Sequence, residues 1–269
     1  MHRVSRLLAF SAVGLASASA GANPRPLPFS YIYETLAEGD SELEQYVDFV
    51  PTKARATSGK AVWYGATQMQ TEFEHGITNK LELGLYVTYA PSGGSDIAVA
   101  PQLIGGNGIK QRLRYRLGEG GQWPVDVALY GEITENQREI ELEAKIILQK
   151  RIGPARVVTN LWAERELYFD GRSEWVLNPT LGATIEATPA VQPGIEYWMH
   201  SEYPDDLGGS PRPFAAGPHH YLGPTVLLSF GKLWWSSGVY YRLNEPRRVL
   251  EPGDAFGHIW ARTVIGVGL

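Results

Sequence analysis

The chain has 269 residues, a formal net charge of −5, no cysteine and a mildly negative mean hydropathy of −0.20. The acidic balance and the lack of any basic stripe exclude nucleic acid as a partner, and the missing cysteines exclude thiolate metal sites and a cysteine nucleophile. Beyond the N-terminus no segment is apolar enough for a membrane helix. Membrane β-strands stay open, because each shows lipid only one of its faces.

In chain order, Met1-His2-Arg3-Val4-Ser5-Arg6 is a basic start, Leu7 to Ala16 a short apolar run, and Ala18-Ser19-Ala20-Gly21-Ala22 a small-residue stretch. This pattern predicts a cleavable secretory signal over 1–22; the run is shorter than the roughly 20 residues of a membrane span. Residues 23–269 are then read as a single domain. The proline-rich lead from Pro24 to Pro28, with Phe29-Ser30-Tyr31-Ile32-Tyr33-Glu34-Thr35 behind it, predicts an extended N-terminal arm or plug over 23–41.

Segments of period two follow, bounded by turn residues. In 80–90 the residues Leu81, Leu83, Leu85, Val87 and Tyr89 share a face opposite Glu82, Gly84, Tyr86 and Thr88. Similar alternation marks 123–133, 138–150 and 257–269. Less regular candidates are 42–50, 61–74, 109–117, 155–167, 174–187, 191–202, 221–230 and 232–243. Long connections at 51–60, 91–108, 203–220 and 244–256 alternate with short turns at 75–79, 118–121, 152–154, 188–190 and 231–232. The pattern predicts an all-β fold: a transmembrane antiparallel up-and-down β-barrel of about 12 strands, within bounds of about 10 to 14. Its turns would be short on the periplasmic side and its loops long outside. The competing fold is a soluble periplasmic β-barrel or sandwich that binds a small ligand, with its apolar faces turned inward.

The signal, the repeated strands and the final alternating strand resemble Gram-negative outer-membrane β-barrel proteins. Pro28 to Thr35, with Glu42-Leu43-Glu44-Gln45 and Glu72-Phe73-Glu74-His75-Gly76-Ile77-Thr78, resembles a family of uncharacterised exported bacterial barrels. The resemblance implies residence in the outer membrane, contact with its lipid, and delivery by the barrel assembly machinery. Such barrels usually end in Phe or Trp, whereas this sequence ends Val267-Gly268-Leu269.

With the apolar faces turned to lipid, Lys110, Arg112, Arg114 and Arg116 form an inward basic ladder. Glu132, Glu139, Glu141, Glu143, Glu164, Glu166 and Glu174 form an acidic cluster. The turns place Arg114 across from Asp126, Glu141 across from Glu164, Glu139 across from Glu166, and Glu174 beside Glu166. Like charges directly opposite on a sheet require compensation. Water, basic groups reaching across the lumen such as Arg242 or Arg262, or a divalent cation on oxygen ligands would each supply it. No cofactor is otherwise expected. Trp63-Tyr64, Tyr197-Trp198, Trp234-Trp235 and Tyr240-Tyr241 are read as interfacial girdle residues.

The expected function is passive: passage of small solutes, or a structural role in the membrane. The alternative from another class is an outer-membrane lipid or peptide hydrolase. Its residues are hard to find, since no Gly-x-Ser-x-Gly turn occurs and His200, Ser201 and Glu202 are strand neighbours. His219-His220, with Asp205 and Asp206 upstream, reads as exposed loop.

Overall fold

The computed structural model describes residues 22–55, 61–89, 108–205, 217–246, 249–250 and 256–269. Residues 1–21 of the expected signal, most of the long connections, Asp206 and the side chains of Trp63 and Tyr64 lie outside that description. All regular structure among the described residues is strand. In order it comprises β1 (Ser41–Arg55), β2 (Ala61–Gly76), β3 (Leu81–Tyr89), β4 (Gly108–Leu117), β5 (Asp126–Asn136), β6 (Glu139–Ile152), β7 (Ala155–Tyr168), β8 (Ser173–Leu177), β9 (Thr180–Ile185), β10 (Val191–Pro204), β11 (His219–Phe230), β12 (Leu233–Arg242) and β13 (Ile259–Gly268).

Each strand pairs antiparallel with its neighbours, and β1 closes on β13 from Glu42↔Gly268 to Phe49↔Ala261. β8 and β9 share one lane between β7 and β10. The pairs Ala163↔Leu177 and Asn160↔Thr180 keep a single register across the break at Asn178-Pro179. Proline has no N–H to give the ladder, but Asn178 N still donates to Trp162 O at 3.1 Å and Pro179 O accepts from Met199 N at 3.1 Å. The result is a closed barrel of twelve lanes, with thirteen strands by count. Closure removes the open strand edges that lipid cannot satisfy.

The alternation sorts the two faces as the sequence predicts. On β5, Leu129 and Ile133 are 44% and 54% exposed, whereas Tyr130 and Glu132 are each 5% exposed. Leu85 and Leu142 lie on the outer skin, while Arg114 and Glu141 are buried inside. The aromatic pairs divide between the faces instead of serving together as girdle. Trp234, Tyr240 and Trp198 are buried in the interior, while Trp235 and Tyr241 are exposed outside. Adjacent strand residues must point to opposite sides, so only one ring of such a pair can meet the membrane interface.

Two turns differ from expectation and shift the registers across them. Between β4 and β5 the connection runs over 118–125, because Gly118 and Gly121 take positive φ and Asp126 accepts the Gly121 N–H at 2.6 Å. Arg114 therefore faces Tyr130, not Asp126. Between β6 and β7 only Gly153-Pro154 turns, with Gly153 at φ 57° and Ile152 already paired with Ala155. Glu141 consequently faces Glu166, Glu143 faces Glu164, and Glu139 faces Tyr168. Glu174 stands beside Glu166.

Residues 23–40 fold into the barrel as a loop. Leu27, Ile32, Tyr33 and Leu36 are almost fully buried, and Leu27 occupies the space that a side chain at inward-facing Gly182 would fill. Both limbs of the loop begin near the short-turn end. Asn23 N donates to Glu42 at 2.6 Å, Leu36 N donates to Glu82 at 2.7 Å, and Asn23 Nδ2 ties the limbs together through Glu34 O at 2.9 Å.

The outward face makes one prediction. Ile146→Arg, at the middle of β6, is expected to cost about 2–4 kcal/mol, read from guanidinium unfolding of the barrel in lipid vesicles. An unchanged midpoint would deny this face its contact with lipid.

Candidate functional site

The lumen is built from the inward residues of every strand and from the arm. Arg112 of the predicted ladder is fully buried and gathers carboxylates from two strands. Its Nε donates to Glu72 at 2.7 Å, its Nη1 to Glu82 at 2.6 Å, and its Nη2 to Glu74; Tyr86 Oη accepts from Nε at 2.8 Å. Arg114 donates to both oxygens of Glu82, at 2.7 and 3.0 Å. Lys110 donates to Glu132 at 3.0 Å. Arg116 lies near the short-turn end, with its guanidinium 5.5 Å from the Tyr33 ring.

The carboxylates Glu42, Glu44, Glu72, Glu74, Glu82 and Glu196 are buried functional groups that the sequence reading passed over. The spacing of Glu42 with Glu44, and of Glu72 with Glu74, already placed each pair on one face. Glu44, Glu72 and Glu74 hold ligand oxygens within 4.8 Å of one another. Two guanidiniums meet this group: Arg25 of the arm at 3.3 Å from Glu44, and Arg112 on Glu72 and Glu74. Their charge already does what a cation would do there.

The predicted acidic cluster is assembled on β5 to β8. Glu132 faces Glu143, Glu143 faces Glu164, and Glu141 faces Glu166. Lys145 Nζ reaches Glu143 at 2.5 Å, Asn136 Nδ2 donates to Glu139 at 3.1 Å, and Asn178 Nδ2 donates to Glu164 at 2.8 Å. Tyr168 Oη donates to Glu166 and, at 2.6 Å, to Glu174. The residues expected to reach across the lumen do other work. Arg262 binds Asp48 at 2.7 and 2.8 Å and lies 3.8 Å over the Phe29 ring. Arg242 donates to Phe256 O at 3.1 Å and Glu245 at 3.0 Å, and Asp126 caps a turn. Each found a nearer partner, Arg262 on the adjacent strand β1, Arg242 in the connection after β12 and Asp126 in the turn before β5.

The arm is held by side chains of the lumen wall. Glu196 accepts from Phe29 N at 3.2 Å and from Ser30 N at 2.7 Å, and Asn160 brackets Tyr31 through its N–H at 2.7 Å and its carbonyl at 2.9 Å. Arg151 and Gln149 donate to Glu34 at 2.8 and 3.0 Å. Burial opposes ionisation of Glu34, but the Arg156 and Arg151 guanidiniums outweigh it and hold the carboxyl below its usual range.

Above the arm lies a cavity with about 140 Å³ of space for water. Its floor is Phe29 and Tyr31. Glu132, Glu141, Glu143 and Glu164 line it together with Lys110 and Lys145, and Arg25 and Arg262 line it with the rings of Trp198, Phe256 and Trp260. There Trp198 stacks between Phe29 and Tyr221, with ring centroids at 4.5 and 4.3 Å. Phe256 lies between the rings of His200 and His219, at 4.5 and 4.4 Å. His219 and His220 thus open β11 instead of lying in an exposed loop; His219 is buried, and His220 meets Tyr197 Oη at 2.7 Å. His200 and Glu202 share the inner face at 3.0 Å, and His200 Nδ1 meets Asn178 Oδ1 at 2.7 Å, which commits both ring nitrogens.

Two outcomes follow from these pairs. Arg112→Met strands the carboxylates around it and is expected to cost about 3–5 kcal/mol, seen as a lower temperature for loss of the folded band on unheated gels. The contribution of Glu34 is complete above the ordinary Glu value near 4.3 and is lost as pH falls through its lowered folded value. Amide exchange of the arm, corrected for intrinsic rate, should therefore rise at the acid end, and Glu34→Gln should remove that pH dependence.

No family model and no curated protein matches the chain. Among solved structures it is similar to the COG4313 outer membrane channel from Pseudomonas putida F1, at 14% identity and a TM-score of 0.56, over 88% of this chain and 98% of that one. It is also similar to the NanC porin, at 8% identity and a TM-score of 0.57, over 84% of this chain and 100% of that one. The chain thus folds as a closed antiparallel barrel of the kind found in outer-membrane channels and porins.

Proposed function

We propose that the protein is an outer-membrane channel for small solutes whose lumen is narrowed by its own N-terminal arm. The observation that carries this reading is the inversion of the usual protein interior. Leucine, isoleucine and valine cover the outside, while arginine, lysine and glutamate fill the inside. A soluble barrel buries the first set and exposes the second. In a bilayer the arrangement places apolar surface on acyl chains and polar surface on water.

Twelve lanes set the scale. Barrels of eight strands are filled by side chains, and those of about sixteen leave an open channel. This lumen is large enough to admit a folded-back arm and still keep the cavity above it. Paired charges along a wet path orient small polar solutes, and the two similar folds named above are a channel and a porin by description.

Purified protein in planar bilayers is expected to give small stepwise conductance. A variant lacking residues 24–36 is expected to conduct several-fold more. Silence from both proteins, each shown to be folded and inserted, would overturn the reading.

A further inference from the structure

We propose that the bond cut on export is Ala22–Asn23, and that the α-ammonium group freed on Asn23 is bound by the buried carboxylate of Glu42. Neither statement depends on the channel reading.

The sequence offers two cuts of the same form, one after Ala18-Ser19-Ala20 and one after Ala20-Gly21-Ala22, each with small residues where a signal peptidase reads them. The surroundings of Asn23 choose between them. Asn23 N donates to Glu42 Oε2 at 2.6 Å, and Trp234 Nε1 donates to Oε1 of the same carboxylate. Asn23 Nδ2 donates to Glu34 O at 2.9 Å, so both the backbone nitrogen and the side chain of this residue are held. Hydrolysis of Ala22–Asn23 adds one water across the amide. The C–N bond breaks, Ala22 leaves as a carboxylate, and the nitrogen stays on Asn23 as an ammonium, already in contact with Glu42.

The neighbouring carboxylates show why a positive charge belongs there. Glu42 stands directly opposite Glu74, and Glu44 directly opposite Glu72. Like charges so placed on a sheet repel. Arg112 answers Glu72 and Glu74, and Arg25 of the arm answers Glu44. Glu42 is fully buried and forms no ion pair among the described residues. An amide N–H gives it a hydrogen bond but no charge. An ammonium at the same atom gives both, and a buried carboxylate with a hydrogen-bonded cation costs far less than one without. Asn23 and Arg25 then set two cations side by side on Glu42 and Glu44, and the first limb of the arm is fixed by its own processing. A cut after Ala20 would leave the amide on Glu42 and carry the charge past it.

The test uses the full chain, exported with its own signal in a Gram-negative host and purified folded in detergent. Mass spectrometry is expected to find Asn23 as the first residue; any other start overturns the proposal. Brief acetylation with an amine-reactive ester then reads the α-amino group against exposed Lys150. Only the unprotonated amine reacts, and a facing carboxylate keeps the proton on it. Glu42→Gln is therefore expected to acetylate at Asn23 about tenfold faster than the parent, while the folded band persists on unheated gels. An unchanged rate in the folded variant overturns the ion pair. Should that variant not fold, two serines inserted between Ala22 and Asn23 carry the comparison. They move the ammonium away from Glu42 and are expected to give the same acceleration; a rate equal to the parent's overturns the ion pair.

Discussion

Arg112 sits in the barrel wall with Glu72, Glu74 and Glu82 around it and no path to bulk water. The arrangement follows from closure. Once β1 has joined β13, every strand has two partners, and the side chains that alternation sends inward share one enclosed space. Charges there lose much of their hydration, and desolvation of an unpaired ion costs several kcal/mol. The ring can therefore carry a charged interior only if each cation arrives with its carboxylates in register. Arg114 and Lys110 meet theirs on adjacent strands, Arg112 meets Glu82 on adjacent β3 and reaches past it to Glu72 and Glu74 on β2, and Arg262 meets Asp48.

The arm belongs to the same accounting. Arg25 brings a positive charge to Glu44, and the backbone N–H groups of Phe29, Ser30 and Leu36 answer Glu196 and Glu82. Wall residues partner the same carboxylates, Arg112 and Arg114 on Glu82 and Tyr240 on Glu196, and the arm adds further donors to them. The arm thus works as part of the lumen wall and leaves above it a space lined by glutamates, lysines and arginines together with stacked rings.

Strand positions and the inside-outside division were legible because they depend on a period of two, which Leu83, Leu85, Leu129 and Leu142 display directly. The existence of the basic and acidic sets followed from the same period. Which residue faces which did not, except that Glu174 stands beside Glu166 as expected. Register depends on how many residues a turn consumes, and Gly118 to Val125 and Gly153-Pro154 each differed from their apparent length. A slip of two residues keeps every side chain on its face but exchanges Glu164 for Glu166 opposite Glu141. The arm's anchors were illegible for another reason. Hydrogen bonds from Phe29 N to Glu196 and from Tyr31 N to Asn160 join residues far apart in sequence through backbone groups, which carry no residue signature.

The two limbs of the arm leave the barrel at the same mouth, with Asn23 at the depth of Glu42 and Leu36 at the depth of Glu82. A strand of chain threaded from one mouth to the other could be withdrawn only by drawing a free end through or by unzipping a seam. A folded-back loop is not linked to the ring in this way. It can be drawn out like a cork, breaking side-chain contacts alone and leaving all twelve ladders of backbone hydrogen bonds intact. Insertion and withdrawal are then local events, separate in energy from the unfolding of the barrel itself.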